Sequence, residues 1–154
     1  MGKKVVRKKI SKKSVFKKTK GKKNVQSIKS ELDGIKFASN LEKFCYQQLK
    51  LRNLHKNLKY EGETFVIVDK FEYQDKKYQA IKITPDFVDV ENKILIECKG
   101  YLGQNQLFPM RWKLMKKYFK DKGEDWDINL VFNQNEILEV VNKLKLKYDE
   151  INNN

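Results

Sequence analysis

Asp86, Glu97 and Lys99 are the residues of this chain whose types and spacing suit chemistry. They lie in Thr84-Pro85-Asp86-Phe87-Val88-Asp89-Val90-Glu91-Asn92-Lys93-Ile94-Leu95-Ile96-Glu97-Cys98-Lys99-Gly100, which reads as a β-hairpin. Phe87, Val88 and Val90, then Ile94, Leu95 and Ile96, are strand formers, and Glu91-Asn92 is turn chemistry. A two-residue loop at 91 and 92 pairs Val90 with Lys93 and sets Asp86 opposite Glu97, with Cβ atoms about 5 Å apart. Lys99, two residues past Glu97, shares its face. Sliding the loop by one residue keeps that face, whereas a three-residue loop needs a bulge. Two adjacent carboxylates repel one another unless a cation joins them. Hard oxygen donors with room for water suit Mg²⁺, with Mn²⁺ as a substitute. A lysine beside such a metal can orient a bound water, and the set as a whole is the chemistry of phosphodiester hydrolysis. The plainer alternative is a solvated, salt-bridged hairpin face.

The elements that must position these residues follow from local pattern. Asp33-Gly34 is a turn signal, with Ile35 and Phe37 a short lead-in. A helix is expected from about Ser39 to Leu54, burying Leu41, Phe44, Cys45 and Leu49. Glu42 has two readings that spacing cannot separate. Ser39-Asn40-Leu41-Glu42 is a capping box, with Glu42 returning to the Ser39 N–H, or Glu42 reaches from the first helical turn toward the carboxylate pair. Thr64–Val68, extended through Phe71-Glu72-Tyr73, is expected as one strand. Tyr78–Thr84 is expected as another, with Tyr78, Ala80 and Ile83 inward and a turn at 74–77 between them. After a polar loop from Tyr101 to Leu107, Pro109 suits a helix start. That helix, over 109–121, turns Leu114, Met115, Tyr118 and Phe119 inward and Arg111, Lys113, Lys116, Lys117 and Lys120 outward. This basic side reads as a DNA-facing ridge or as an ordinary solvated face, and Arg111 and Lys113, nearest along the chain to the proposed site, are its best DNA-binding candidates. Ile128–Phe132 is a short buried strand. A last helix, capped by Asn133 or Asn135, carries the stripe Ile137, Leu138, Val141 and Leu144, and residues 152–154 are expected to fray. His55, the single histidine, reads as a helix-end or surface residue. With one histidine and two cysteines, Cys45 and Cys98, neither a zinc site nor a His-dependent nucleophile is expected. Both thiols read as reduced and buried, Cys98 on the packed side of the sheet.

The charge is uneven. Residues 1–29 hold 13 of the 34 Lys and Arg and no acid, which leaves 21 bases against 20 acids over the rest of the chain. The net +14 therefore belongs almost wholly to one tail. Residues 1–30 read as a disordered basic arm and 31–150 as one domain. Lys3, Lys4, Arg7, Lys8, Lys9, Lys12, Lys13, Lys17 and Lys18 of the arm suit backbone contact with nucleic acid, although a localisation signal or a solubility tail would look similar. No apolar run approaches a membrane span, and there is no apolar leader. A soluble, cytoplasmic protein with no membrane partner is expected.

The order helix, strand, strand, central hairpin, helix, strand, helix resembles the PD-(D/E)XK nuclease superfamily. Within it the chain looks most like the phage endonuclease I group of Holliday junction resolvases. The resemblance rests on Ser39-Asn40-Leu41-Glu42, Thr84-Pro85-Asp86-Phe87, Glu97-Cys98-Lys99-Gly100 and Asp127-Ile128-Asn129-Leu130-Val131-Phe132, and covers roughly residues 33 to 133. It implies an α/β (α+β) fold with a restriction-endonuclease-like αβββαβ core, its mixed central sheet flanked by helices. It also implies that Asp86, Glu97 and the Cys98 backbone carbonyl hold a divalent metal, that Glu42 joins them, and that Lys99 positions the attacking water. A homodimer acting on four-way or otherwise branched DNA is implied as well. The chain departs from the family in having Cys98 at the centre of the Glu-x-Lys motif and a longer loop from Tyr101 to Pro109. The expected function is metal-dependent cleavage of branched DNA. The alternatives are a nuclease of the same fold acting on ordinary duplex, of restriction or transposon-end type, and a non-catalytic basic DNA- or RNA-binding protein. A basic structural protein of a virion or ribosome would explain the arm but not the carboxylates.

Overall fold

The computed structural model describes residues 30–101 and 107–153. Ser30–Leu32 (β1) and Ile35–Phe37 (β2) pair antiparallel. Asp33 and Gly34 between them take φ of 53° and 77°, the left-handed geometry that a two-residue hairpin turn demands. Helix α1 runs Asn40–Leu51, and the Ser39 Oγ accepts the Glu42 N–H as its N-cap. It ends earlier than Leu54 because the Arg52 N–H closes onto the Leu49 and Lys50 carbonyls. Asn53 then turns left-handed at φ 58°, a common way to stop a helix. Cys45, Tyr46 and Leu49 form its buried face, while Leu41 and Phe44 are half-buried.

The central sheet has four strands: Lys59–Tyr60 (β3), Phe87–Asp89 (β8), Ile94–Cys98 (β9) and Asp127–Val131 (β10), in the order β10-β9-β8-β3. The outer pairs differ: β3 and β9 run antiparallel to β8, whereas β10 runs parallel to β9. A parallel neighbour needs a crossover, and helix α2, Leu107–Asp121, supplies it. All five residues of β9 are buried, as expected of a strand covered on both faces. Its alternate residues serve two cores. Ile94, Ile96 and Cys98 face α1 and the final helix α3, Gln134–Asn153, in a cluster with Phe37, Leu49 and Ile137. Leu95 faces the other way with Val88, Phe65 and the α2 residues Trp112, Met115 and Phe119. Period-two alternation therefore puts Glu97 on the α2 side and Cys98 on the α1 side.

Residues 64–84 differ from the two long strands expected. They break into four: Phe65–Val68 (β4) pairs with Ile81–Ile83 (β7), and Phe71–Tyr73 (β5) with Lys76–Tyr78 (β6). The β4–β7 ribbon carries a register shift between Val66 and Val68. Beyond it, every residue of β5 and β6 is exposed, and Tyr78, expected inward, is 42% exposed. No core faces this outer hairpin, so its strand-forming residues set no inward side. In α2, Met115 and Phe119 are buried as expected, but Trp112 rather than Leu114 or Tyr118 completes the face. Asn133 caps α3, accepting the Glu136 N–H at 3.0 Å and donating to Glu136 Oε1 at 2.7 Å. The helix continues to Asn153 instead of fraying at 152. No helix among the described residues is long and apolar enough to cross a membrane.

Candidate active site

The β8–β9 register pairs Phe87 with Ile96, Val88 with Leu95 and Asp89 with Ile94, which carries Asp86 to the level of Glu97. The turn is wider than two residues, spanning Val90–Lys93. Asp89 accepts from the Asn92 N–H and Nδ2–H at 3.0 and 2.8 Å, and Lys93 closes the turn at φ 55°. One residue is taken from each strand, so the register and both faces are unchanged.

At the open end of this hairpin the strands grip one another through their acids. The Asp86 N–H donates to Glu97 Oε2 at 3.2 Å, and Asp86 Oδ2 accepts the Cys98 N–H at 2.6 Å. Glu97 is buried, and its Oε1 lies 2.6 Å from Lys99 Nζ. Burial pushes the Asp86 carboxyl up to about 8, with the negative charges of Glu97 and Glu42 adding to it and the Cys98 N–H and Lys99 opposing. Burial disfavours the Lys99 ammonium too, but Glu97, Asp86 and Glu42 outweigh it and hold its pKa above the ordinary value. Lys99 is therefore a cation at neutral pH. Without a metal, the proton that Asp86 keeps up to about pH 8 relieves the repulsion between the two acids, and a divalent cation would take the place of that proton.

Glu42 takes the capping role in a form the sequence did not specify. Its Oε2 accepts the Ala38 N–H at 3.0 Å and the Tyr60 hydroxyl at 2.7 Å, while Oε1 accepts the Ser39 hydroxyl at 2.8 Å. The backbone partner is Ala38, one residue before the cap, and not Ser39. Glu42 acts on the site through its charge, which raises Asp86 and Lys99. Its carboxylate is already held by three donors, and its helix packs on the Cys98 face of the sheet, opposite Glu97. Among the described residues no group of three or more His, Cys, Asp and Glu is arranged to hold a metal ion. Asp86 and Glu97 are thus a two-carboxylate set. Mg²⁺ accepts such a set, since it is commonly bound by one or two carboxylates and keeps several waters.

A cleft of about 370 Å³ opens beside the pair, lined by Thr84, Glu97, Lys99, Phe108 and Arg111 among others. Lys99 Nζ stands 4.9 Å from the Phe108 ring centroid, and Phe108 stacks on Trp112 at 5.6 Å. Arg111 donates from Nη2 to the Lys82 carbonyl. Of the two α2 cations singled out from sequence, only Arg111 lines this cleft. Lys113 borders a separate groove with Pro109, Trp112 and Lys116. Phe108 and Thr84 were not foreseen, because their roles depend on how α2 and the β4–β7 ribbon meet the hairpin end. The basic-arm candidates from Lys3 to Lys18 lie outside the described residues. Cys98 and Cys45 are free, buried thiols. The Cys98 thiol is pushed well up, first by its hydrogen bond with Cys45 and then by burial, which makes it a packing group and not a nucleophile.

Fold and geometry together define a mixed α+β protein with an acid–acid–lysine cleft at the end of a buried hairpin. A family model described as "Protein of unknown function (DUF1064)" matches residues 20–134, about three-quarters of the chain, and the chain belongs to that family. The match takes in Glu42, Asp86, Glu97, Lys99 and Arg111 and stops at the first residue of α3. No curated protein and no solved structure matches the chain.

Proposed function

We propose that this protein is a Mg²⁺-dependent endodeoxyribonuclease of the PD-(D/E)XK type, related to the phage junction resolvases and cutting branched DNA, four-way junctions in particular. The observation that carries the reading is the meeting of Asp86, Glu97 and Lys99 at one hairpin end, beside a cleft that also holds Arg111. The order α1, β8–β9 hairpin, α2 crossover and parallel β10 agrees with an αβββαβ core. The edge beside β8 is taken by β3, however, while the β4–β7 ribbon stands apart.

Asp86 and Glu97 would hold the metal, with the Cys98 carbonyl beside them and Glu42 adding negative charge from behind its cap. When bound, Mg²⁺ supplies a Lewis acid that stabilises charge on the scissile phosphate. Lys99, as a cation, donates hydrogen bonds to the attacking water or to a phosphate oxygen, and so positions rather than deprotonates. Arg111 offers a second cation to the phosphate on the α2 side. Water attacks phosphorus and releases a proton to solvent, the bond to the 3′-oxygen breaks, and that oxygen leaves to take a proton from solvent. Because a junction needs two strands cut, a homodimer is part of the proposal.

The test compares a synthetic four-way junction with a linear duplex of the same sequence, in Mg²⁺ and in Ca²⁺, with Asp86→Asn as control. Paired nicks near the branch point, dependent on Mg²⁺ and absent in the variant, are expected. Equal cutting of both DNAs keeps the nuclease and removes the junction preference. Binding without cleavage favours a DNA-binding module, the reading to which Glu42's engagement as a cap lends weight.

A further inference from the structure

The β5–β6 hairpin has a one-sided composition that the cleft chemistry does not use. Its register pairs Phe71 with Tyr78, Glu72 with Lys77 and Tyr73 with Lys76. Directly paired residues share a face and successive ones alternate. One face of the two strands therefore carries Phe71, Tyr73, Lys76 and Tyr78 without an acid, and the paired Glu72 and Lys77 fall on the opposite face. The three rings are 51%, 61% and 42% exposed. Phe71 and Tyr78 lie 4.8 Å apart and within 10° of parallel, so they form a short stack with open outer faces. Lys76 is in no ion pair among the described residues.

We infer that this face binds unpaired nucleobases of a DNA strand by stacking, with Lys76 beside the phosphates. Aromatic platforms flanked by cations are how proteins hold single strands without reading sequence. A second copy of the chain is the poorer occupant. Three rings of this size, exposed to this degree, present about 300 Å², against about 800 Å² per partner in a stable interface. Bases inside an intact duplex have no free face to offer, so the substrate class is DNA with unpaired bases next to the cut, such as an opened branch point or a splayed end. Only this last step rests on the nuclease reading. Tyr78 and Thr84 are six residues apart, a span of at most about 20 Å of extended chain. The contacted bases then fall within about six nucleotides of the scissile phosphate, at 3.4 Å per step.

The experiment measures binding of the full chain, in EDTA, to a fluorescein-labelled oligo-dT of about 20 nucleotides, longer than one single-strand site, and to a duplex of equal length. Salt is held at about 0.2 M to weaken the phosphate contribution of the tail. Tyr73→Ala and Phe71→Ala should each weaken oligo-dT binding by about tenfold or more and leave duplex binding unchanged, while Tyr73→Phe binds like the wild type. Unchanged oligo-dT binding in both alanine variants overturns the inference, as does equal loss on both DNAs. A wild-type dimer that Tyr73→Ala converts to monomer in sedimentation also overturns it, by giving the face to a second copy. Aromatic-dependent binding by a protein that never cuts would leave this inference standing and remove the nuclease. Asp86-dependent cutting with no aromatic dependence would do the reverse.

Discussion

At the scale of single residues, the site is a problem of charge before it is one of catalysis. Asp86 is raised from its ordinary 3.8 to about 8, so between those values the folded protein holds a proton that the unfolded chain releases. Stability contributed by that proton is fully present below pH 3.8 and is lost as pH rises through about 8. In metal-free buffer, the urea midpoint of the wild type should therefore be lower at about pH 9 than at about pH 5, and Asp86→Asn should flatten the difference. A midpoint that rises with pH would show the carboxylate pair to be less crowded than its geometry indicates. Lys99 carries a second prediction. Its ammonium is the partner of Glu97 at 2.6 Å, and in the proposed reaction it positions water and offsets charge. Lys99→Ala should abolish Mg²⁺-dependent cutting of a junction and leave junction binding in Ca²⁺ nearly intact, because the cleft keeps Arg111. Cutting at the wild-type rate would remove Lys99 from the mechanism.

At the scale of elements, the hairpin shows how far pattern alone can be read. The pairing of residues 87–89 with 94–96 follows from strand-forming residues and turn chemistry, and it survives a wider turn because one residue leaves each strand. α1 and α3 were legible for the same reason, since each has one apolar face against a core, whereas β10 runs Asp127–Val131, one residue earlier than expected, serves both cores and leaves Phe132 exposed. The 64–84 region was not. Its residues have strand propensity, but the outer half meets no core, and period-two pattern carries no information about inside and outside where both sides are wet. β3 is two residues long, below what a periodic signal can mark. Glu42 was ambiguous for a different reason: a cap and a site residue need the same carboxylate at the same helix position, and only packing reveals that Ala38, Ser39 and Tyr60 hold it. The polar tie between α3 and β8 was also invisible, because Tyr148 and Asp89 are 59 residues apart. The Tyr148 hydroxyl donates to Asp89 Oδ2 at 2.6 Å, where both residues are buried. Tyr148→Phe leaves Asp89 its two Asn92 bonds but removes the bond to α3, and should cost about 1–3 kcal/mol in denaturant unfolding. A loss within error would mean that water replaces the hydroxyl.

At the scale of the whole molecule, chemistry and affinity are assigned to different parts of the chain. The acid–acid–lysine set sits in the folded domain, whereas residues 1–29 carry 13 bases and no acid, and the remainder is nearly neutral. A nearly neutral domain gains little from non-specific attraction to DNA, so most of the salt-sensitive affinity should come from the tail. Each phosphate neutralised adds about 0.9 to the slope of log affinity against log salt. Deleting residues 1–29 should therefore weaken junction binding most at low salt and make that slope shallower, by roughly 5 if fewer than half of the charges make contact. The cutting rate at saturating enzyme should change little, because Asp86, Glu97, Lys99 and Arg111 all remain. Titrations of the full and shortened chains across a range of salt, alongside single-turnover cutting, separate the two effects. An unchanged slope would move the DNA contacts onto the domain, to Arg111 and the lysines of α2. A lost single-turnover rate would mean that the tail completes the substrate site rather than only concentrating DNA near it.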